Sequence, residues 1–175
     1  MIPRFVIMMI GLLLPSLAWA GSSLPNGYDR AGWGMTVPEL QKQVGIERAE
    51  MSDGFGYAEH LEEDPDVYYQ MTPEHERVEY YFYRGRLYKV FIIYDRVLFH
   101  TRFYEELIEK TKKTYGDPKD AYQEDFFGLP IQHTRWEDST SILDLRRGAG
   151  FIYQVRIDKT TNEIKTKAQT KKKSI

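Results

Sequence analysis

The sequence predicts an α+β fold: a single antiparallel sheet of five to seven strands, with one long and one short helix packed on one face. Three observations carry that expectation. Residues 78–94, VEYYFYRGRLYKVFIIY, place two runs rich in aromatic and β-branched residues on either side of Arg84-Gly85. That is hairpin patterning, because glycine accepts the positive φ of a tight turn. Residues 96–115 carry one apolar stripe at helical spacing, with Tyr104, Leu107, Ile108, Thr111 and Tyr115 on one side. Three short runs, at about 130–137, 141–147 and 151–158, follow one another at hairpin distance and make a meander.

The chain has 175 residues, enough for one domain with its own core. Its N-terminus carries the three parts of a secretory signal. Arg4 is the positive region, residues 5–14 are the apolar run that Pro15 breaks, and Ala18-Trp19-Ala20 offers the small-x-small cleavage pattern. About ten apolar residues are too few to cross a bilayer, which takes about 20. The expectation is a cleaved signal peptide at 1–20, a flexible lead-in at 21–27 and one domain over 28–158. A basic, disordered tail follows at 159–175. The mature protein is expected to be soluble and exported, in the bacterial periplasm or secreted.

Charge is unevenly spread. Residues 159–175 hold six Lys and one Glu, or +5, whereas residues 21–158 hold 17 Lys plus Arg against 25 Asp plus Glu, or −8. An acidic body with a basic tail is no nucleic-acid binder, which needs a basic face. The tail is expected to make weak contact with anionic membrane. There is no cysteine, which excludes disulfides, thiolate metal sites, a thiol nucleophile and lipid attachment through a Cys.

Along the chain, Thr36-Val37-Pro38-Glu39 opens a short helix. Thr36 is the cap, Glu39 completes a capping box, Val37, Leu40 and Val44 share a face, and Gly45 ends it. The acidic stretch 46–66 suggests a short strand at 51–57 and an exposed loop at 60–65, and a further strand is expected at 66–71. In the long helix Thr101 is a candidate cap. Its acids lie early and its lysines late, as the helix dipole favours, and Gly116-Asp117-Pro118 stops it. Asp138-Ser139-Thr140 and Gly148-Ala149-Gly150 are the meander turns. Helix, glycine, then extended segments occurs twice, which suggests two α-then-β units sharing one sheet.

That ordering, with Gly34-Met35-Thr36, Leu40, Val44-Gly45 and then Tyr81-Phe82-Tyr83-Arg84-Gly85-Arg86-Leu87, resembles small bacterial envelope proteins of the BamE/SmpA type and the β-lactamase-inhibitor-like αβ modules. The resemblance covers about a third of the chain. It implies a non-catalytic binding module of the cell envelope with a protein partner. BamE-type proteins are lipoproteins, and the lipid-accepting cysteine is missing here.

No enzyme signature stands out. The histidines His60, His75, His100 and His133 lie far apart, with no second His at i+4. His60, Glu62, Glu63, Asp64 and Asp66 offer oxygen ligands but no calcium-loop spacing, so a solvated acidic loop is the better reading. Neither a G-x-S-x-G elbow, an S-x-x-K setting nor a phosphate cradle is present. No cofactor, metal or catalytic residue is expected. The candidate interaction face is Tyr81, Tyr83, Arg86 and Tyr88, because Tyr and Arg are enriched at interfaces. With Arg84-Gly85 as a two-residue turn, Phe82 should oppose Leu87 and Tyr81 should oppose Tyr88. Val78, Tyr80, Phe82, Leu87, Lys89, Phe91 and Ile93 would then face the helices. The function expected is a soluble exported binding or adaptor module. The alternative is a small exported hydrolase or ligand-binding protein with a site between helix and sheet.

The signal reading is testable. Intact-mass measurement of the exported protein should give a chain that begins at Gly21, and a chain beginning at Met1 would refute both the cleavage and the localisation built on it.

Overall fold

The computed structural model describes residues 22–48, 66–72, 75–94, 101–148 and 150–173. In chain order these form β1 (Gly27–Tyr28), β2 (Ala31–Gly32), α1 (Val37–Val44), β3 (Glu47–Arg48), β4 (Asp66–Thr72), β5 (His75–Tyr83) and β6 (Arg86–Ile93). Then come α2 (Thr101–Tyr115), β7 (Asp120–Phe126), β8 (Leu129–Glu137), β9 (Ser141–Gly148), β10 (Phe151–Asp158) and α3 (Lys159–Lys173). Eight strands make one sheet in the order β3-β4-β5-β6-β10-β9-β8-β7, and β1 and β2 make a separate two-stranded ribbon. Every neighbouring pair is antiparallel. Outward from the β6–β10 seam, each side runs from the last strand of a helix-plus-four-strand segment to its first.

The α+β, antiparallel class is therefore the observed one. The finer expectation of one sheet with two helices on one face needs correction, because there is a ribbon, a third helix and a strand, β7, that the hydrophobic pattern did not reveal. The expected strand at 51–57 and loop at 60–65 lie outside the described residues.

The central strand takes its place from composition. Val90, Ile92 and Tyr94 lie in one buried cluster with Val78, Tyr80, Phe82 and Leu87. Leu40 and Val44 of α1, Tyr104 of α2, Trp136, Leu143, Leu145 and Ile152 join the same cluster. Phe91 and Ile93 face the other way, in a second cluster with Tyr81, Tyr88, Tyr153 and Val155. A strand buried on both faces reads as a continuous apolar run.

The hairpin turn is Arg84-Gly85, with φ of 51° and 72°, and Phe82 opposes Leu87 as expected. Beyond that pair the register shifts, and Tyr81 opposes Lys89 instead of Tyr88. The extra residue is a β-bulge, and one inserted residue exchanges the two faces of everything after it. Val90 and Ile92 therefore face the helices, and Phe91 and Ile93 do not. The run Val90-Phe91-Ile92-Ile93 is apolar at every position, so its alternation held no record of which parity was correct.

The helices end where their residues say. Thr36 N–H donates to Glu39 Oε2 at 2.7 Å and its hydroxyl donates to the same oxygen at 2.8 Å. Gly45 closes α1 in the left-handed region at φ 63°. Gly116 does the same for α2, and its carbonyl accepts from Trp136 Nε1 at 2.8 Å. On α2, Tyr104 is buried, and Leu107, Ile108 and Tyr115 pack half-buried against the same core. The β1–β2 ribbon needs Gly27, since a Cβ there would stand 1.9 Å from the Ala31 carbonyl oxygen.

Two segments expected to be loose are tied down. In the lead-in, Leu24 is buried, its N–H donates to Asp138 Oδ2 at 2.8 Å, and Ser141 Oγ donates to the Pro25 carbonyl at 3.2 Å. The tail is helix α3. Asp158 caps it by accepting the Thr161 N–H at 3.2 Å. Lys159 Nζ donates to Glu137 Oε1 at 2.6 Å, and α3 packs on β6 and β10. Packing and two polar anchors, not composition, make this segment helical. It lies with Lys165 inward, 8 % exposed, and Ile164 outward, 49 % exposed.

Termination after Asp158 removes the helix that lies over Tyr88. Burial of one large side chain is worth about 1.5–3 kcal/mol, and each kcal/mol shifts Tm by about 2–4 °C at this size. The truncated protein should melt about 5 °C lower and bind more of a hydrophobic dye. An unchanged Tm would show that α3 contributes nothing to the fold.

Candidate functional site

The four residues of the expected interaction face do not form one open surface. Tyr81 and Tyr88 are buried, Tyr83 is half-buried and Arg86 is exposed. Tyr81 donates its hydroxyl to Glu79 Oε2 at 2.7 Å, and Arg77 Nε stands 2.9 Å from Glu79 Oε1. The ammonium of Lys165 on α3 sits 5.4 Å from the Tyr88 ring centroid, and that of Lys89 sits 4.6 Å from Tyr81. Arg86 reaches the opposite side, donating to the Gly34 carbonyl at 3.0 Å. The tyrosines are thus a second core beneath α3.

Between the helices and the sheet, the polar groups serve one another. Arg156 Nη1 donates to the Gly27 carbonyl at 3.2 Å, and its guanidinium lies 5.1 Å from the Tyr28 ring centroid. The Gln154 amide, oriented to satisfy both neighbours, accepts from Arg156 Nε at 3.1 Å and donates to the Tyr94 hydroxyl at 3.1 Å. Burial raises the pKa of Tyr94 and lowers that of Arg156. This arrangement fastens the β1–β2 ribbon to β10.

On the other face, at the β7 side, His133 is buried beside Asp144. Its Nδ1 lies 3.0 Å from Asp144 Oδ2, which also accepts from Arg146 Nε at 2.7 Å. His133 Nε2 faces Glu124 Oε2 at 3.4 Å, and the Tyr122 ring stacks on the imidazole at 4.5 Å with a 10° tilt. An oriented imidazole could act as a base, but Tyr122 and Glu124 cover its outer nitrogen and ring face. Among the described residues no three His, Asp, Glu or Cys side chains come together as a metal site. The cluster holds the inner side of β7 to β8. His60 and His100 lie outside the described residues, as do Glu62, Glu63 and Asp64 of the acidic loop, and Asp66 opens β4.

What remains open is the β7–β8 hairpin. Residues 120–125 of β7 are exposed and Phe126 is half-buried, although the ladder to β8 is unbroken from Asp120↔Arg135 to Phe126↔Leu129. The turn between them is Phe127-Gly128, with φ of 51° and 80°. Asp125 Oδ1 fixes it by accepting the Gly128 N–H at 2.8 Å. Both positive φ values match a type I′ turn, whose first position favours Asn, Asp or Gly. Here it is Phe127, 88 % exposed, with Leu129 52 % and Tyr122 41 % exposed beside it. The Phe126 and Phe127 rings meet edge to face at 4.8 Å. A large apolar side chain held at positive φ and in water contributes little to the fold beyond that one ring contact, which makes the position the candidate contact point.

None of three comparisons gives a match: no family model, no curated protein and no solved structure is significantly similar to the chain. Among the described residues no helix is long and apolar enough to cross a membrane. The functional reading accordingly rests on geometry.

The hairpin is braced by Glu137 at the far end of β8. Its carboxylate receives Lys159 from α3 at 2.6 Å, Arg135 at 2.9 Å and Lys119, just before β7, at 3.1 Å. The Lys159 hydrogen bond is the largest cause, with Lys119 and Arg135 adding to it against the opposing effect of burial, and the pKa falls to about 2. A depressed carboxylate stabilises the fold fully above the ordinary value of 4.5 and loses that contribution as pH falls toward 2. Glu137→Gln should therefore be less stable than wild type at neutral pH, and the gap should close as pH drops through that window. A pH-independent gap in urea melts would show that the carboxylate charge is not what matters.

Proposed function

We propose that the protein is an exported, non-catalytic binding module of the cell envelope that presents the β7–β8 hairpin to a protein partner. The observation that carries this reading is Phe127, 88 % exposed at φ 51°. A sequence selected only for stability would put asparagine there. The signal-like N-terminus supports export. Helix followed by four strands, twice, supports the resemblance to BamE/SmpA-type and β-lactamase-inhibitor-like αβ modules, and with it the reading of two α-then-β units. The Tyr81, Tyr83, Arg86 and Tyr88 face has a lesser part in this reading, since Tyr81 and Tyr88 are buried and α3 lies over Tyr88. Weak attraction to anionic membrane belongs to the outward side of α3, where Lys167 is 80 % exposed.

Phe127→Asn separates function from stability. Asparagine tolerates the left-handed region that a benzyl side chain does not, so the variant should be more stable by about 0.5–1 kcal/mol. As bait against envelope extract it should lose partners that wild type retains, while Ile164→Ser, at an exposed apolar residue of α3, should keep them. Identical partner sets for wild type and Phe127→Asn would refute the hairpin as the contact.

A further inference from the structure

We infer that the outer edge of β7 takes up an extended segment of the partner as a ninth, antiparallel strand, and that this segment alternates basic and apolar side chains on one face. The inference rests on the binding-module reading above and names the chemistry of the partner.

The two ends of the sheet differ. Among the described residues, β3 ends one side with two residues, whereas β7 ends the other with seven. Sheet edges are ordinarily protected by shortness, by charged side chains and lysine above all, by proline or by a bulge, and the charges of β7 are all acidic, so they repel acidic strands and not basic ones. β7, DAYQEDF, has no lysine and no proline, and its register with β8 shows no shift. Among the described residues no strand pairs with its outer side. Such an edge offers an unbroken row of main-chain donors and acceptors, which is what strand addition uses.

The side chains specify what can be added. Alternation puts Asp120, Tyr122, Glu124 and Phe126 on one face, the face on which Tyr122 covers His133. Acid, aromatic, acid, aromatic asks a neighbouring strand for cation, apolar, cation, apolar at alternate positions, since cross-strand partners are the unit of sheet pairing. Glu124 lies near His133, whereas Asp120 enters no ion pair among the described residues and is exposed. Cations at the added positions would also meet the Tyr122 ring. β7 carries Asp120, Glu124 and Asp125, or −3, so a second copy of the same edge would add like charge and is disfavoured. Glu124 and Asp125, just before the tip, likewise disfavour its insertion into an anionic bilayer.

The probe is a short synthetic peptide with lysine and valine alternating on one face and threonine on the other, beside a control with glutamate for lysine. Each is titrated against the whole protein at low salt, with amide hydrogen exchange as the second readout. The lysine peptide should bind saturably, slow exchange along β7, and bind at least about tenfold more tightly than the glutamate peptide. Asp120→Lys, at a residue outside the His133 cluster, should shift that preference toward the glutamate peptide without changing the fold. Equal affinity for the two peptides, or protection confined to residues outside β7, overturns the inference. So does partition of the hairpin into lipid vesicles without peptide binding. If neither peptide binds while Phe127→Asn still loses its envelope partners, the strand-addition chemistry is wrong and the binding-module reading stands.

Discussion

Pairing between β6 and β10 is the interaction on which the rest of the molecule depends. Five consecutive pairs, from Tyr153↔Ile93 to Ile157↔Lys89, are among the described residues the only ladder joining the two halves of the sheet. Each half ends in the middle, so the most apolar strand of the first segment lies against the last strand of the second. This seam supplies both cores. Ile92 and Ile152 face the helices, while Phe91 stacks on Tyr153 at 4.9 Å on the other face. Without it, each half would expose a long hydrophobic edge, the situation that favours aggregation.

The cores differ in what covers them. The first lies under α1, α2 and the β1–β2 ribbon, whose attachments run through Arg156, Trp33 and Asp138. Trp33 Nε1 donates to Ser141 Oγ at 3.0 Å. Burial opposes ionisation of Asp138, but hydrogen bonds from the Thr140, Ser141 and Leu24 N–H groups outweigh it and hold its pKa down. The second core lies under α3, a helix with lysine inside and isoleucine outside. A cover of that composition is held by its N-terminal end and by cation–π contact more than by apolar area. Glu137 is where this cover, β8 and the approach to β7 meet, so the second core and the β7–β8 hairpin share one anchor.

Where burial is one-sided or a turn has fixed chemistry, the sequence was legible. The capping box at Thr36 and Glu39, the glycine stops at Gly45 and Gly116, the Arg84-Gly85 turn and the three C-terminal strands could all be read in the residues. Three features could not. The bulge after Leu87 is hidden because both parities of β6 are apolar. β7 is hidden because a strand exposed on both faces has no hydrophobic period. α3 is hidden because its helicity comes from Asp158, Glu137 and the surface it lies on. The candidate site suffered from the last two. The tyrosines of β5 and β6 have interface chemistry but form a core under α3, whose helicity the residues do not announce, whereas Phe127-Gly128 between two extended runs is a turn signal of the same kind as Arg84-Gly85.

The seam has a further consequence for how the chain reaches this state. Ile93 and Tyr153 are partners across sixty positions of sequence, and β10, which completes the sheet, is the last strand in chain order. Contacts of such high order form slowly, because the loop between them must close before pairing rewards it. A nascent chain released only as far as α2 holds β6 with one neighbour and nothing to occupy its other edge. The sheet therefore cannot close until β10 is available to pair with β6. Over the same interval the exposed Val90-Phe91-Ile92-Ile93 run is the segment a holding chaperone would recognise.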